Sequence, residues 1–260
     1  MNNEASFYWA KASVPMGHDI ALLRPASLPR GKRFETPDDA AQYSQALESL
    51  LRRTKGGHDS AEFLNDCREG HYTCGKPFCP LCARQFRRWL FGQTSQIFSH
   101  EDKPHRVLNL HFGAWKAGDL GSANPDRIRD RLRKQSNRAG LGEVVAVGGI
   151  EAALKDGHWL VHGHVAVAGA GKDKRDRLRA YFDGAGSKRP FVDQEMRDPA
   201  KQLSYVLKFH SYQRPAKGGQ AYPLKRNAAL ELVRWQNGRS FEDFLFLKGL
   251  RRRGVRIEPR

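Results

Sequence analysis

One dipeptide, Asp156-Gly157, constrains the fold of this 260-residue chain more than any other feature. It separates two mostly apolar segments that are predicted to be strands, 143–154 and 159–167. Asp-Gly between such runs is a strong signal for a β-hairpin with a type I′ turn. A two-residue turn also fixes the register, because the residues flanking it face each other and each step outward adds one residue on each strand.

This register brings three potential metal ligands together. Glu151 faces His162 on the neighbouring strand, and His164, two residues further along, points to the same face. Two imidazoles and a carboxylate suit a divalent ion with open coordination positions, either Mn²⁺ or Mg²⁺ acting on DNA or Zn²⁺ in a hydrolase. The alternative is that the histidines lie on a solvent-facing surface of the sheet and bind no ion.

The residues around the hairpin predict an α+β fold. From 106 to 210 the order is strand, helix, hairpin, helix, helix, which indicates a mostly antiparallel central sheet with helices on one face. The last 50 residues are expected to be helical. Outside the hairpin we predict a strand at 107–112 and helices at about 36–51, 81–98, 124–140, 172–182 and 199–210.

These elements divide the chain into four expected parts. They are an N-terminal helical segment (1–60) whose first 35 residues are irregular, a metal-binding module with a basic helix (61–103), the α+β domain with the hairpin (104–212), and a basic helical C-terminal segment (213–260).

All four cysteines lie in one short segment with the spacing C-x6-C-x4-C-x2-C. In a reducing compartment, this grouping favours a structural Zn²⁺ with closed tetrahedral coordination. Two disulfides or four free thiols are the alternatives, and His58 or His71 could replace one cysteine. The predicted zinc ligands are Cys67, Cys74, Cys79 and Cys82.

The charge balance predicts a polyanionic partner. The chain has 45 Lys and Arg against 28 Asp and Glu, a formal net charge of +17, which is typical of nucleic-acid-binding proteins. A generic basic protein is the alternative. With no long apolar run and no signal peptide pattern, we expect a bacterial cytoplasmic protein without membrane contact. The predicted DNA-contacting residues are Arg84, Arg87, Arg88, Lys172, Lys174, Arg175 and Lys201.

The helix that begins near Pro199 carries a candidate nucleophile. At 100° per residue, its apolar residues fall on one side and Lys201, Tyr205 and Lys208 fall together on the other. Nearby lysines favour a phenolate and neutralise a phosphate. The alternative is a surface tyrosine between solvated lysines.

Together these features resemble the HUH endonuclease superfamily and, within it, the plasmid rolling-circle replication initiators (Rep proteins). The resemblance covers about residues 106–210. The strand 107–112 is similar to the family's first motif, His162-Gly-His164 to its paired histidines, and Tyr205-Val-Leu-Lys208 to its Tyr-x-x-Lys motif. The cysteine segment is similar to the zinc-binding part of some bacterial plasmid initiators. In one departure, Gly163 stands where the family has a bulky hydrophobic residue.

The resemblance implies a ferredoxin-like or RRM-like core and metal-dependent nicking of single-stranded DNA at a hairpin origin. The Mn²⁺ or Mg²⁺ ion would act as Lewis acid and template. Tyr205 would attack in line and keep the 5′ phosphate, while Lys208 would offset charge on the phosphate or orient Tyr205. The freed 3′ hydroxyl would prime a host polymerase, and a host helicase is a further possible partner. His111 is expected near the metal without being a ligand.

Two other functions compete with this one. A single-tyrosine transposase or a conjugative relaxase would use the same chemistry in another biological setting. A non-enzymatic, zinc-containing nucleic-acid-binding protein would explain the charge and the cysteines, but it would leave the convergence of Glu151, His162 and His164 to chance.

Overall fold

The predicted Asp-Gly hairpin forms the centre of the sheet. Its strands, β2 (Val145–Lys155) and β3 (His158–Ala168), run antiparallel. The aspartate and the glycine of the turn have φ angles of 50° and 73°, as a type I′ turn requires. Glu151 pairs with His162, which confirms the predicted register.

The computed structural model describes residues 37–99, 104–183, 190–206, 213–214, 224–254 and 256–260. The expected irregular segment 1–35 and residues 207–210 of the tyrosine helix, including Lys208, lie outside these described residues. In addition to β2 and β3, the described elements are, in chain order, α1 (Pro37–Arg52), α2 (His58–Arg68), α3 (Pro80–Ser99), β1 (His105–Lys116), a 3-10 turn (Leu120–Ser122), α4 (Pro125–Arg138), α5 (Lys172–Ala180), β4 (Phe191–Glu195), α6 (Pro199–Val206), β5 (Gln213–Arg214), α7 (Arg226–Gln236), α8 (Phe241–Phe244), β6 (Leu245–Lys248), β7 (Leu250–Arg253) and β8 (Arg256–Pro259).

The sheet is antiparallel in the order β4-β1-β3-β2-β6, and the two-residue β5 adds a short parallel pairing to β2. The expected α+β class with an antiparallel sheet is therefore confirmed. Strand β1 pairs Asn109 with His164 and His111 with His162. The register then shifts, so that Phe112 is an extra residue on β1. Such a bulge bends the strand and re-aims its side chains.

Helices cover both faces of the sheet, and the expectation that they lie on one face is wrong. Leu132 of α4 and Leu178 of α5 pack with Val165 and Val167 on one face. Helix α6 packs against β3 on the opposite face, which carries the histidines. The physical reason is that β2 is buried at every position except its two ends, because its small and apolar residues leave no face for water.

The C-terminal part is only partly helical, which corrects the second expectation about the fold. After α7 and α8, strand β6 joins the sheet, where Leu245 pairs with Gly149 of β2. Strands β7 and β8 then form a separate two-stranded sheet. The segment Leu245–Lys248 becomes a strand because the open edge of β2 offers it backbone hydrogen bonds and an apolar surface, which a sequence pattern of four residues does not reveal.

Three helices precede the sheet. Helices α2 and α3 both pack against α1, and α2 (His58–Arg68) crosses the division expected at residue 60. Helix α3 is the longest of the described helices, with 20 residues. None of the helices in the described ranges is both long and apolar enough to span a membrane.

Candidate metal centre and tyrosine

The hairpin brings the three predicted ligands into one buried cluster. Glu151, His162 and His164 are 3%, 5% and 4% exposed. One ligand atom from each lies within 4.8 Å of the other two, and His162 Nε2 is 3.8 Å from a carboxylate oxygen of Glu151. A small side-chain adjustment would let a single ion contact all three.

The ring of His162 is oriented by the backbone of its own strand. Its Nδ1 lies 3.0 Å from the carbonyl oxygen of Leu160. In the tautomer that donates this hydrogen bond, Nε2 carries the lone pair. Nε2 is also the atom that faces Glu151. The local hydrogen bond therefore favours the tautomer that can bind a metal ion at the cluster.

The residue types fit a divalent ion. Burying a carboxylate is unfavourable unless a cation or hydrogen bonds compensate it. Glu151 is buried between imidazoles, and neutral imidazole and carboxylate are both common metal ligands. The chemistry of this set therefore suits an ion with open positions for substrate oxygen atoms.

Strand β1 adds two polar residues to the same face. His111 lies beside His162 with ring centroids 5.6 Å apart and planes inclined by 26°, next to the three-residue cluster, as expected from the sequence. The sequence reasoning missed Asn109, which faces His164. Its buried Oδ1 has no hydrogen-bond partner among the described residues. Asn109 could have been found from its position two residues before His111, because alternate residues of a strand share a face.

Helix α6 places Tyr205 at the rim of the cluster. The tyrosine ring lies edge-on to His164, with centroids 5.0 Å apart and planes inclined by 71°. Tyr205 is 42% exposed, so it adjoins the buried ligands and solvent at once. Lys208 lies outside the described residues, and the side chain of Lys201 is not among the described ones either.

Arg87 contacts the tyrosine helix and is not exposed as the sequence reasoning expected. It is 7% exposed, and its Nε and Nη2 donate to the carbonyl oxygen of Ser204 at 3.1 and 2.8 Å. Ser204 directly precedes Tyr205. The guanidinium thus connects α3 to α6 and has no surface on which to grip a DNA backbone. The sequence pattern could not reveal this contact, since the two residues are 117 positions apart.

The other predicted DNA-contacting residues fall in different surroundings. Arg175 is held between a carboxylate oxygen of Asp193, at 2.7 Å, and the Ala170 carbonyl, which gives it a structural position. Lys172 is exposed and pairs with Asp176. Lys172 and Lys174 belong to α5, on the opposite side of the sheet from Tyr205. Arg84 and Arg88 on α3 are half-buried.

The four cysteines form a second cluster. Cys67 lies in the last turn of α2, Cys79 directly precedes α3, Cys82 lies in the first turn of α3, and Cys74 lies between these helices. Sulfur–sulfur distances of 3.5 Å (Cys67–Cys82 and Cys74–Cys82) and 3.7 Å (Cys67–Cys79) far exceed the disulfide length of about 2.05 Å. They suit four thiolates around one ion, since a tetrahedron with Zn–S bonds of about 2.3 Å sets its sulfurs roughly 3.8 Å apart.

The surroundings of the cysteines support this interpretation. Hydrogen bonds from the Cys74, Cys79 and Cys82 thiols hold the pKa of Cys67 well below its usual range. Contact with Cys67 is the main cause of the raised pKa of Cys82. A cation among the sulfurs would stabilise all four thiolates. His58 and His71 are exposed and lie beside Glu62 and Asp66, so neither histidine replaces a cysteine.

Comparison of the chain with models of protein families, with curated proteins and with solved structures gave no match. The geometry of the two clusters and of Tyr205 is therefore the basis for a functional proposal.

Proposed function

We propose that this chain is a metal-dependent enzyme that nicks and rejoins single-stranded DNA through a covalent 5′-phosphotyrosine. In this proposal it belongs to the HUH class and initiates rolling-circle replication of a plasmid. One observation carries the proposal: the half-exposed ring of Tyr205 contacts His164, which shares a buried cluster with His162 and Glu151. A nucleophile beside three metal ligands is the minimum that this reaction requires.

The residues have distinct roles in the proposed reaction. Glu151, His162 and His164 would hold Mn²⁺ or Mg²⁺, and the ion would supply Lewis-acid stabilisation of the scissile phosphate. The Tyr205 oxygen attacks phosphorus and loses its proton to solvent. The bond from phosphorus to the 3′ oxygen breaks, and that oxygen leaves as a hydroxyl after taking up a proton. Rejoining is the reverse: a 3′ hydroxyl attacks the phosphotyrosine and releases Tyr205.

The position of Tyr205 suits a substrate of this kind. The Tyr205 side chain extends from α6, which packs on the sheet, and lies at the border between the buried candidate ligands and solvent. A single strand is flexible enough to bring one phosphate to that border. Lys208 and Lys201 are proposed to neutralise the phosphate. The net charge of +17 favours association of the protein with DNA.

The cysteine cluster is proposed to hold a structural Zn²⁺. With four sulfur ligands the ion has no open position, so it would stabilise the fold without taking part in the reaction. Its place between α2 and α3 lets it fix the start of the helix that contacts the tyrosine helix through Arg87.

The decisive experiment tests for a covalent adduct. Labelled single-stranded oligonucleotides with candidate hairpin origins are incubated with the protein and Mn²⁺ and run on a denaturing gel. We expect a nick and a protein–DNA adduct that are lost in Tyr205→Phe. Tyr181→Phe is the matched control, because Tyr181 is also exposed but follows α5 on the other side of the sheet. An adduct that persists in Tyr205→Phe contradicts the proposal.

The contribution of the metal ion proposed for the hairpin cluster is tested with a separate variant. Because EDTA also removes ions from cysteine sites, Glu151→Gln is used to weaken the hairpin cluster while leaving the cysteines unchanged. We expect this variant to bind DNA and to nick it far more slowly at limiting Mn²⁺.

A second function is favoured by a specific observation, the closed cysteine cluster in a strongly basic chain. A nucleic-acid-binding protein without catalysis needs no more than these features. Salt-sensitive binding without cleavage of any candidate origin, unchanged in Tyr205→Phe, would support this function instead.

A further inference from the structure

The C-terminal hairpin projects a pair of arginines from the body of the protein. Its strands β7 and β8 form a sheet of their own. The base of the hairpin is anchored, because Leu250 and Ile257 are buried and the Ile257 N–H donates to Gln93 Oε1 of α3 at 3.2 Å. At the other end, Arg253 faces Arg256 directly across the ladder.

The arginines at the base of this hairpin form ion pairs, whereas those at its tip do not pair with a described carboxylate. Near its base, Arg251 pairs with Glu258 at 3.0 Å and Arg252 with Glu242 at 3.1 Å. At the tip, Arg253 and Arg256 form no ion pair with any carboxylate in the described part of the chain. Like charges directly opposite each other on a ladder destabilise it. An external anion would remove that repulsion, and guanidinium groups bind phosphate in a bidentate manner.

The shape and composition of the hairpin favour duplex DNA over other polyanions. A two-stranded ribbon fits the major groove of B-DNA. Proteins bind single strands largely by stacking bases on aromatic rings, and β7 and β8 contain no aromatic residue. Insertion into a membrane surface needs exposed apolar side chains, whereas Leu250 and Ile257 are buried.

We propose that the β7–β8 hairpin is a duplex-binding arm in which Arg253 and Arg256 contact DNA phosphates beside a groove. This inference rests on the proposed function, in which a base-paired stem adjoins the single strand to be nicked. The arm grips the stem, while Tyr205 acts on the unpaired strand.

The test measures duplex affinity over a series of salt concentrations with the full-length protein. Fluorescence anisotropy of a labelled DNA duplex gives the slope of log K against log salt concentration. For Arg253→Gln/Arg256→Gln we expect the slope to flatten by about 1.8, since each phosphate contact contributes roughly 0.9. The matched control is Arg251→Gln/Arg252→Gln, which removes the same charge from arginines that are already paired. Its slope should change by less than half as much.

The outcomes separate this inference from the proposed function. Equal slopes for Arg253→Gln/Arg256→Gln and the wild type would contradict the proposal of a duplex-binding arm. A loss of affinity confined to single-stranded DNA would also contradict it. So would a change that appears on duplex RNA, anionic vesicles or an acidic polypeptide but not on duplex DNA. In each variant, Mn²⁺-dependent nicking of an unpaired oligonucleotide should stay at the wild-type rate and melting temperatures should match. If the wild-type protein forms no adduct, the proposed function fails, whatever the slopes are.

Discussion

Gly163 between the two histidines has a packing explanation that the sequence alone did not supply. Its position points away from the ligands, where a Cβ would come within 3.1 Å of a ring carbon of Phe112. Phe112 is the extra residue of the β1 bulge, and its ring also contacts Phe182. The Phe112 ring thus occupies the space that a larger side chain at position 163 would need. The three candidate metal ligands therefore come together with Gly163 in place.

The closeness of Gly163 to the Phe112 ring predicts a pair of substitutions that compensate each other. Gly163→Leu alone should lower the free energy of unfolding by about 1–3 kcal/mol, because overpacking forces strain on a filled core. Adding Phe112→Ala should recover part of the loss. Denaturant unfolding of both single variants and the double variant gives the coupling energy. Simple additivity of the two effects would mean that the side chains do not compete for the same space.

The candidate ligands of the hairpin predict which substitution weakens metal binding. Glu151→Gln should weaken Mn²⁺ binding at least tenfold, because it removes the charged ligand from a buried site. His158→Gln is the control, since His158 is exposed beside the turn. Titration calorimetry with zinc already present in the cysteine cluster measures both variants. Equal affinities for Glu151→Gln and the wild type would exclude Glu151 as a ligand.

At the scale of elements, the connection from α3 to α6 joins the cysteine cluster to the tyrosine. The two hydrogen bonds from Arg87 hold the backbone one residue before Tyr205. Under the proposed function, Arg87→Ala should therefore lower the nicking rate about tenfold or more, since misplacing a reacting group is costly. Mn²⁺ affinity should be unchanged, because the ligands belong to the hairpin. Single-turnover nicking and Mn²⁺ titration measure the two effects separately.

The control for this prediction is Gln85→Ala, which lies on the exposed side of α3. A nicking rate for Arg87→Ala equal to that of the control would mean that α6 needs no support from α3. Loss of Mn²⁺ binding in Arg87→Ala would instead indicate a general disturbance of the sheet.

The cysteine cluster predicts the effect of losing its metal. Cys79→Ser should release bound zinc, measured as metal content per chain, and lower the melting temperature, because metal binding free energy is part of folding free energy in such modules. Since α3 begins at this cluster, nicking should fall as well. If the variant kept its melting temperature without zinc, the apolar contacts among α1, α2 and α3 would be enough to keep these helices folded.

At the scale of the whole molecule, strand β6 makes the C-terminal part integral to the sheet. Phe246 is buried and lines the same cavity as Leu108 and Val165. A chain ending at Phe244 should lose cooperative unfolding, because it exposes this core and the edge of β2. A chain ending at Lys248 keeps β6 and should melt cooperatively at a temperature between those of the short chain and the full chain. Thermal circular dichroism of the three lengths compares them, and equal melting curves would contradict the role of β6.

The features that could be predicted from the sequence are those set by short-range rules. The Asp-Gly turn determined the register, and the register placed Glu151 opposite His162. The spacing of the cysteines was enough to suggest their cluster. The features that were missed depend on contacts between distant parts of the chain. Residues that meet across long separations, such as Leu245 with Gly149 and Arg87 with Ser204, leave no periodic pattern. The helices on both faces were missed for the same reason.

The hairpin has a consequence for how the protein is made. Its three ligands lie within one short stretch, 151–164, and strands β1 to β3 are complete at residue 168. During synthesis on the ribosome, all three candidate ligands therefore leave the exit tunnel before Tyr205 and β6 do. Under the proposed function, we expect a nascent chain to expose its metal ligands first and its nucleophile last, which delays cleavage of DNA until the rest of the fold is made.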